Sequence, residues 1–146
     1  MKNTIIVDID GTISKVGDRL KYLKQEPTDW DSFYDACFED KPITNVIGML
    51  HNLSDTYNLV FCTGRRESVR TQTVKWLVKY GFYISDNLLM RPNNDYRHDT
   101  IVKPEQLEKA RIELKNIAFV LEDRNSMVKK WRDLGLTCMQ VADGDF

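Results

Sequence analysis

A chain of 146 residues, 42% hydrophobic and 29% charged, has the material for one sizeable core and the balance of an ordinary globular protein. Its 21 basic and 22 acidic residues leave a net charge of −1, which excludes broad coating of nucleic acid but not a grip on a strand end. No apolar run approaches the ~20 residues that span a bilayer, and MKNTIIVDID turns acidic too early for a signal peptide, so a cytoplasmic protein is expected.

The first predicted element is a strand over 4–8, TIIVD. Residues 14–42 then break the pattern with a segment rich in charge and aromatic rings. Within it, Thr28 or Asp29 can N-cap a short helix carrying Trp30, Phe33, Tyr34 and Phe38. Such rings ordinarily form a small core beneath a loop; the alternative is a platform on which a base stacks. A helix is predicted over 45–55, with apolar residues at 46, 47, 50 and 53, and a strand over 57–62. A helix over 67–80 closes at Gly81, and a strand follows over 87–91. Pro104, read as a first helical residue, opens a helix over 104–114. A strand over 117–121, a helix over 125–134 and a strand over 137–141 complete the chain.

Most of these strands are near-continuous apolar runs, as in a sheet covered on both faces. The expected fold class is therefore α/β: a three-layer α/β/α sandwich with a largely parallel, Rossmann-like sheet. Residues 1–146 are read as one domain, with 14–42 a small helical cap over the carboxyl ends of the strands, where open α/β sheets bind ligands. Trp76 and Trp131 are expected in the core, Cys37, Cys62 and Cys138 as buried reduced thiols, and His51 and His98 outside the chemistry.

The chemistry gathers at three strand tips. Asp8 and Asp10 share a face of an extended chain. Two such charges ~4 Å apart repel by about 4 kcal/mol at an effective dielectric near 20, so a positive group or a bound proton belongs beside them. The second strand ends in Thr63-Gly64-Arg65 and the fourth in Glu122-Asp123. Carboxylates with a backbone carbonyl suit Mg²⁺, while Thr63 and Arg65 suit phosphate oxygens. A carboxylate such as Asp8 can attack phosphorus, and Asp10 can move the proton. A calcium loop beginning at Asp8 is excluded by Ile13 and Arg19, which stand where glycine and glutamate are required. Neither the kinase P-loop G-x-x-x-x-G-K-[ST] nor G-x-G-x-x-G occurs, so neither of those phosphate-binding loops is expected here.

D-x-D-G-T after a hydrophobic strand, T-G-R after a second, a downstream lysine and an acidic pair resemble the haloacid dehalogenase phosphatase superfamily. The resemblance implies Asp8 as nucleophile and metal ligand, and Asp10 as general acid/base with its main-chain carbonyl on the metal. It implies a phosphate-binding role for Thr63, Gly64 and Arg65, a lysine at Lys103 that orients nucleophile and phosphate, and Asp123 on the metal. Glu122 departs from the usual Asp-Asp pair; being longer, it is placed behind the ligands rather than on the ion. D-I-D-G-T-I, Arg19, T-G-R-R-E, R-x₃-D-x-R-x-D-x₃-K at Arg91–Lys103, E-D-R and the tail C-M-Q-V-A-D-G-D-F are similar to the 3′-phosphatase domain of bacteriophage polynucleotide kinase-phosphatase. That likeness implies Arg19, Arg91, Arg97 and Asp99 in the active-site wall, although 14–42 has no clear counterpart. The expected activity is a Mg²⁺-dependent phosphomonoesterase working through an aspartyl-phosphate on 3′-phosphorylated nucleic-acid ends. The alternatives are a phosphatase of free nucleotides or other small esters, and a non-catalytic binding module, whose signature would be loss of Asp8, Asp10 or Lys103.

Overall fold

Strand β1 (Thr4–Val7) is buried along its length, and its side chains alternate between two apolar clusters. The computed structural model describes residues 1–146. Ile5 and Val7 join one cluster with Ile47, Leu50, Trp76 and Leu77. Ile6 joins the other with Leu107, Met127, Val128 and Trp131. A period of two on a strand covered from both sides requires this split.

The remaining sheet strands are β4 (Asn58–Arg66), β5 (Leu88–Arg91), β6 (Ile117–Glu122) and β7 (Cys138–Gln140). The small strands β2 (Ser14–Lys15) and β3 (Lys41–Pro42) lie outside that sheet. Helices α3 (Thr44–Leu53) and α4 (Arg70–Lys79) feed the first cluster; α5 (Asp99–Lys109) and α6 (Asn125–Asp133) feed the second. The five-stranded sheet has the order β5-β4-β1-β6-β7, with every pairing parallel. The chain steps outward from β1 through β4 and β5, then returns to the other side of β1 with β6. Such a reversal opens a crevice at the carboxyl ends of the strands. All five expected strands are present and the three-layer α/β/α class holds. No helix is long and apolar enough to cross a membrane.

The largest departures from the expected boundaries are in β4 and α5, the latter also ending at Lys109 rather than 114. Strand β4 runs on to Arg66 because it keeps pairing with β5 across an irregularity between Thr63 and Arg66. Thr63, Gly64 and Arg65 are therefore held in a strand, not a loop. Helix α5 begins at Asp99 rather than Pro104; the Thr100 N–H donates to Nδ1 of its N-cap, His98, at 3.2 Å. Pro104 then lies inside the helix, a position that ordinarily costs about 3 kcal/mol. Offsetting it, Asp99 and Lys103, one turn apart, both reach opposite charges at the sheet edge.

Residues 14–42 form a flap whose base is the antiparallel pair β2–β3. Between them lie α1 (Leu20–Leu23) and α2 (Trp30–Asp35), the latter capped by Asp29, whose Oδ1 accepts the Ser32 N–H at 3.0 Å. Tyr34 and Phe38 pack on the first core and Phe33 is buried, whereas Trp30 stays 47% exposed. The three cysteines are buried and unbridged. Trp76 donates its Nε1–H to the Asp40 carbonyl at 2.8 Å, tying the flap to α4. His51 Nε2 meets the Tyr80 carbonyl at 2.8 Å, away from the strand tips.

Candidate active site

The register aligns Val7 with Phe61 and Leu121, so the residues that follow each strand emerge level with one another. Asp8 follows β1 directly, and its N–H donates to the Leu121 carbonyl at 3.0 Å. Its Oδ2 accepts the Thr12 hydroxyl at 2.9 Å, and its Oδ1 accepts Lys103 Nζ at 2.7 Å. The same ammonium reaches Glu122 Oε2 at 2.9 Å. Glu122 Oε1 accepts the Asp123 N–H at 3.2 Å, so both of its oxygens are engaged by the protein.

Asp8, Glu122 and Asp123 bring carboxylate oxygens within 4.8 Å of one another, and all three are buried. One ammonium does not balance three carboxylates. Burial, with the charge of Glu122 added, pushes Asp8 up to about 7 against the pull of Lys103. Burial and the charge of Asp8 push Asp123 up to about 7. Burial opposes the charge on Lys103, but Asp8 and Glu122 outweigh it and hold its pKa well above the ordinary value. The cluster has an excess of negative charge and offers only hard oxygen donors.

Asp10 is turned away from that cluster. Its Oδ1 accepts Arg65 Nη2 at 2.7 Å and Arg19 Nη2 at 2.8 Å. Burial alone would raise its pKa, but Arg65 and Arg19 hold it below the ordinary carboxylate range. Both guanidiniums are also gripped by Asp40: Arg19 Nε to Oδ1 at 2.7 Å, and Arg65 Nη2 to Oδ2 at 3.2 Å. Ser14 donates to Asp40 Oδ2 at 2.6 Å. Arg19 further donates to the Phe33 carbonyl at 3.0 Å and lies over the Phe33 ring, 4.5 Å from its centre. Its guanidinium is thus spent inside the protein, behind Asp10.

Thr63 is buried, and its Oγ1 accepts the Arg65 N–H at 3.1 Å, which leaves its own O–H to donate. Arg91 donates to the carbonyls of Gly64, Asp95 and Arg97 and pairs with Asp99. Asp99 also takes Arg124 Nη1 at 3.3 Å. Arg97 reaches Asp95 and Glu105 at 2.8 and 2.7 Å in a largely exposed network. Asp8, Asp10, Thr63, Gly64, Arg65, Arg91, Asp99, Lys103 and Asp123 all face one cleft of about 530 Å³, and the flap supplies part of its rim.

The family model for the polynucleotide kinase PNKP phosphatase domain matches residues 2–146. The chain belongs to that family. Solved relatives of the PNKP phosphatase include the Pnkp1/Rnl/Hen1 complex, matched with 34% identity and a TM-score of 0.81 over 100% of this chain and 48% of that one. An Autographa californica nuclear polyhedrosis virus protein, assigned as a bifunctional polynucleotide kinase/RNA ligase, is 27% identical over 132 residues, covering 89% of this chain and 18% of that protein. The chain thus spans about half the length of the solved relative and less than a fifth of the viral one. A haloacid dehalogenase-like hydrolase from Streptococcus pneumoniae shares the fold at a TM-score of 0.67 and 16% identity, over 94% of this chain and 83% of that one. This PNKP-type domain is a phosphatase of the haloacid dehalogenase kind.

Sequence reasoning missed several members of the PNKP-type site. Asp40 joins Arg19 to Arg65 from within the flap, and Thr12 holds the second oxygen of Asp8. Arg124 closes onto Asp99 and onto the carbonyl of Phe146, at 2.9 Å. Thr12 lay in the D-x-D-G-T motif and could have been assigned from it. Asp40 carries no local signal, since its partners lie 21 to 26 positions away.

Proposed function

We propose that this domain is a Mg²⁺-dependent phosphomonoesterase that forms an aspartyl-phosphate on Asp8 and acts on 3′-phosphorylated nucleic-acid ends. The observation that carries the reading is Asp8 at the tip of the central strand, oriented through both oxygens by Thr12 and Lys103 and facing the cleft beside Asp123. An Asp8 oxygen attacks phosphorus, the bond from phosphorus to the leaving-group oxygen breaks, and that departing oxygen takes a proton from Asp10 to leave as the alcohol. A water then gives its proton to Asp10 and attacks the acyl phosphate, releasing inorganic phosphate and restoring the Asp8 carboxylate. Asp10 stands ionised between two guanidiniums, as a base should; an arriving phosphate dianion raises its proton affinity for the first step.

Asp8, Asp123 and the main-chain carbonyl of Asp10 would hold the ion, and the negative excess of the acidic cluster fits a divalent cation. When bound, Mg²⁺ supplies charge that neutralises and orients phosphate oxygens. Thr63 donates to a phosphate oxygen, Lys103 keeps Asp8 aimed, and Arg19 with Asp40 fixes Asp10. The strand-end substrate is supported by the family and by relatives that sit in an RNA repair complex. The deciding assay compares phosphate release from a 3′-phospho-oligonucleotide, a 3′-mononucleotide and a 5′-mononucleotide with Mg²⁺, using Asp8→Asn as control. The oligonucleotide should be the best substrate and Asp8→Asn inactive but folded. Faster turnover of the mononucleotides would point to a small-ester phosphatase instead.

A further inference from the structure

Among the arginines on the cleft, Arg66 alone pairs with no carboxylate. Arg65, Arg91, Arg97 and Arg124 each meet an aspartate. Arg66 Nε is buried without an acceptor. Its guanidinium lies between two rings instead, 5.2 Å from the centre of Tyr34 and 5.3 Å from that of Tyr96. Tyr34 belongs to flap helix α2, Tyr96 to the segment after β5, and Arg66 is the last residue of β4. Three separate parts of the chain thus meet at the rim of the cleft. Trp30 extends the row, stacked on Tyr34 at 6.3 Å and 47% exposed.

Two ring faces hold a guanidinium through their π electrons, but they neutralise no charge and occupy none of its N–H donors. Arg65, one residue earlier, is turned inward onto Asp10 and Asp40. Arg66 is left as a braced fork of donors with no anion of its own, the form that takes phosphate in two-pronged fashion. A mononucleotide brings only the ester phosphate that goes to Asp8. A strand brings a second phosphate one nucleotide inward, with a base between that can lie against the exposed rings.

We propose that Arg66, braced by Tyr34 and Tyr96, receives the phosphodiester that precedes the terminal nucleoside and so makes the domain prefer a strand end to a mononucleotide. This rests on the 3′-end reading above and specifies how that end is recognised.

The test uses three substrates: a 3′-mononucleotide, a dinucleotide with a 3′-phosphate, and the same dinucleotide with an uncharged methylphosphonate between its nucleosides. For the unsubstituted chain, kcat/KM on the charged dinucleotide should exceed that on the methylphosphonate by about tenfold or more, the size of one charge-assisted contact. Arg66→Gln should bring that ratio close to one, and should cost the dinucleotide far more than the mononucleotide. The methylphosphonate comparison needs no mutation, so it stands even if Arg66→Gln folds poorly. A ratio near one in the unsubstituted chain overturns the inference, as does equal loss on mononucleotide and dinucleotide in Arg66→Gln. Both leave the 3′-phosphatase reading standing. Failure to hydrolyse any of the three substrates overturns that reading, and this inference with it.

Discussion

Lys103 donates to Asp8 at 2.7 Å across 95 positions of sequence, and both side chains are less than a tenth exposed. The same ammonium serves Glu122, so its removal strands two buried carboxylates at once. Lys103→Met should lower turnover on the order of 10²–10³-fold, since the nucleophile loses its orienting charge. It should also destabilise the metal-free domain by about 3 kcal/mol near pH 8, and by less near pH 5, where Asp8 can take a proton. Urea unfolding at the two pH values reads this; equal loss at both would mean that packing, not charge, is what Lys103 supplies.

Asp8 and Asp123 are both raised from 3.8 to about 7 in the fold. A carboxyl with a raised folded pKa binds its proton more tightly folded than unfolded, so its stabilising contribution is complete below about pH 4 and is lost as pH climbs through about 7. The depressed carboxyls, Asp10 and Asp99 among them, finish titrating below this window. The Tm in chelator should therefore fall between about pH 5 and pH 8. Mg²⁺ must displace those protons, so its stabilisation should be larger at the higher pH. Asp123→Asn should flatten both trends, and a chelated Tm that rises over the window would contradict the charge balance described.

Asp40 touches no reacting group, yet it grips both arginines that hold Asp10. Asp40→Asn removes a negative charge from that cluster and leaves the guanidiniums freer to stabilise the Asp10 carboxylate. Where breakdown of the aspartyl-phosphate limits turnover, Asp10 must be ionised to take the proton of water, so the acidic limb of the kcat profile should move to lower pH, and kcat should fall because the arginines lose their anchor. A merely structural role would lower the profile without moving it.

Gly11 has φ +82°, and a Cβ there would lie 2.0 Å from Asp123 Oδ2. Gly11→Ala should cost about 1–2 kcal/mol from the left-handed backbone alone and push Asp123 off its place. Weakened Mg²⁺ binding in calorimetry should accompany the loss. Gly17→Ala, which meets open space, is the matched control and should change neither.

The strands were legible because burial on both faces writes itself as an apolar run, and TIIVD, NLLMR and IAFVL could hardly be anything else. The catalytic tips were legible because short motifs sit where strands end. Helix α5 was misplaced because Pro104 is a strong local signal, overruled by charges that Asp99 and Lys103 find elsewhere in the fold. Asp40 was invisible for the converse reason: the residues that give it meaning come from the flap base and from β4, and only the folded chain brings them together.

The tail beyond β7 folds back over Asp123, and Phe146 stands on the rim of the cleft with its carbonyl held by Arg124. Gly144 is so close to the Asp123 carbonyl that a Cβ would lie 2.0 Å from it. Any polypeptide joined after Phe146, whether a linker or an affinity tag, would start at the entrance through which substrate must pass. The other terminus precedes β1, at the opposite end of the strands, with Met1 fully exposed. For assays, immobilisation or fusion to another module, Met1 is the attachment point that leaves the doorway clear.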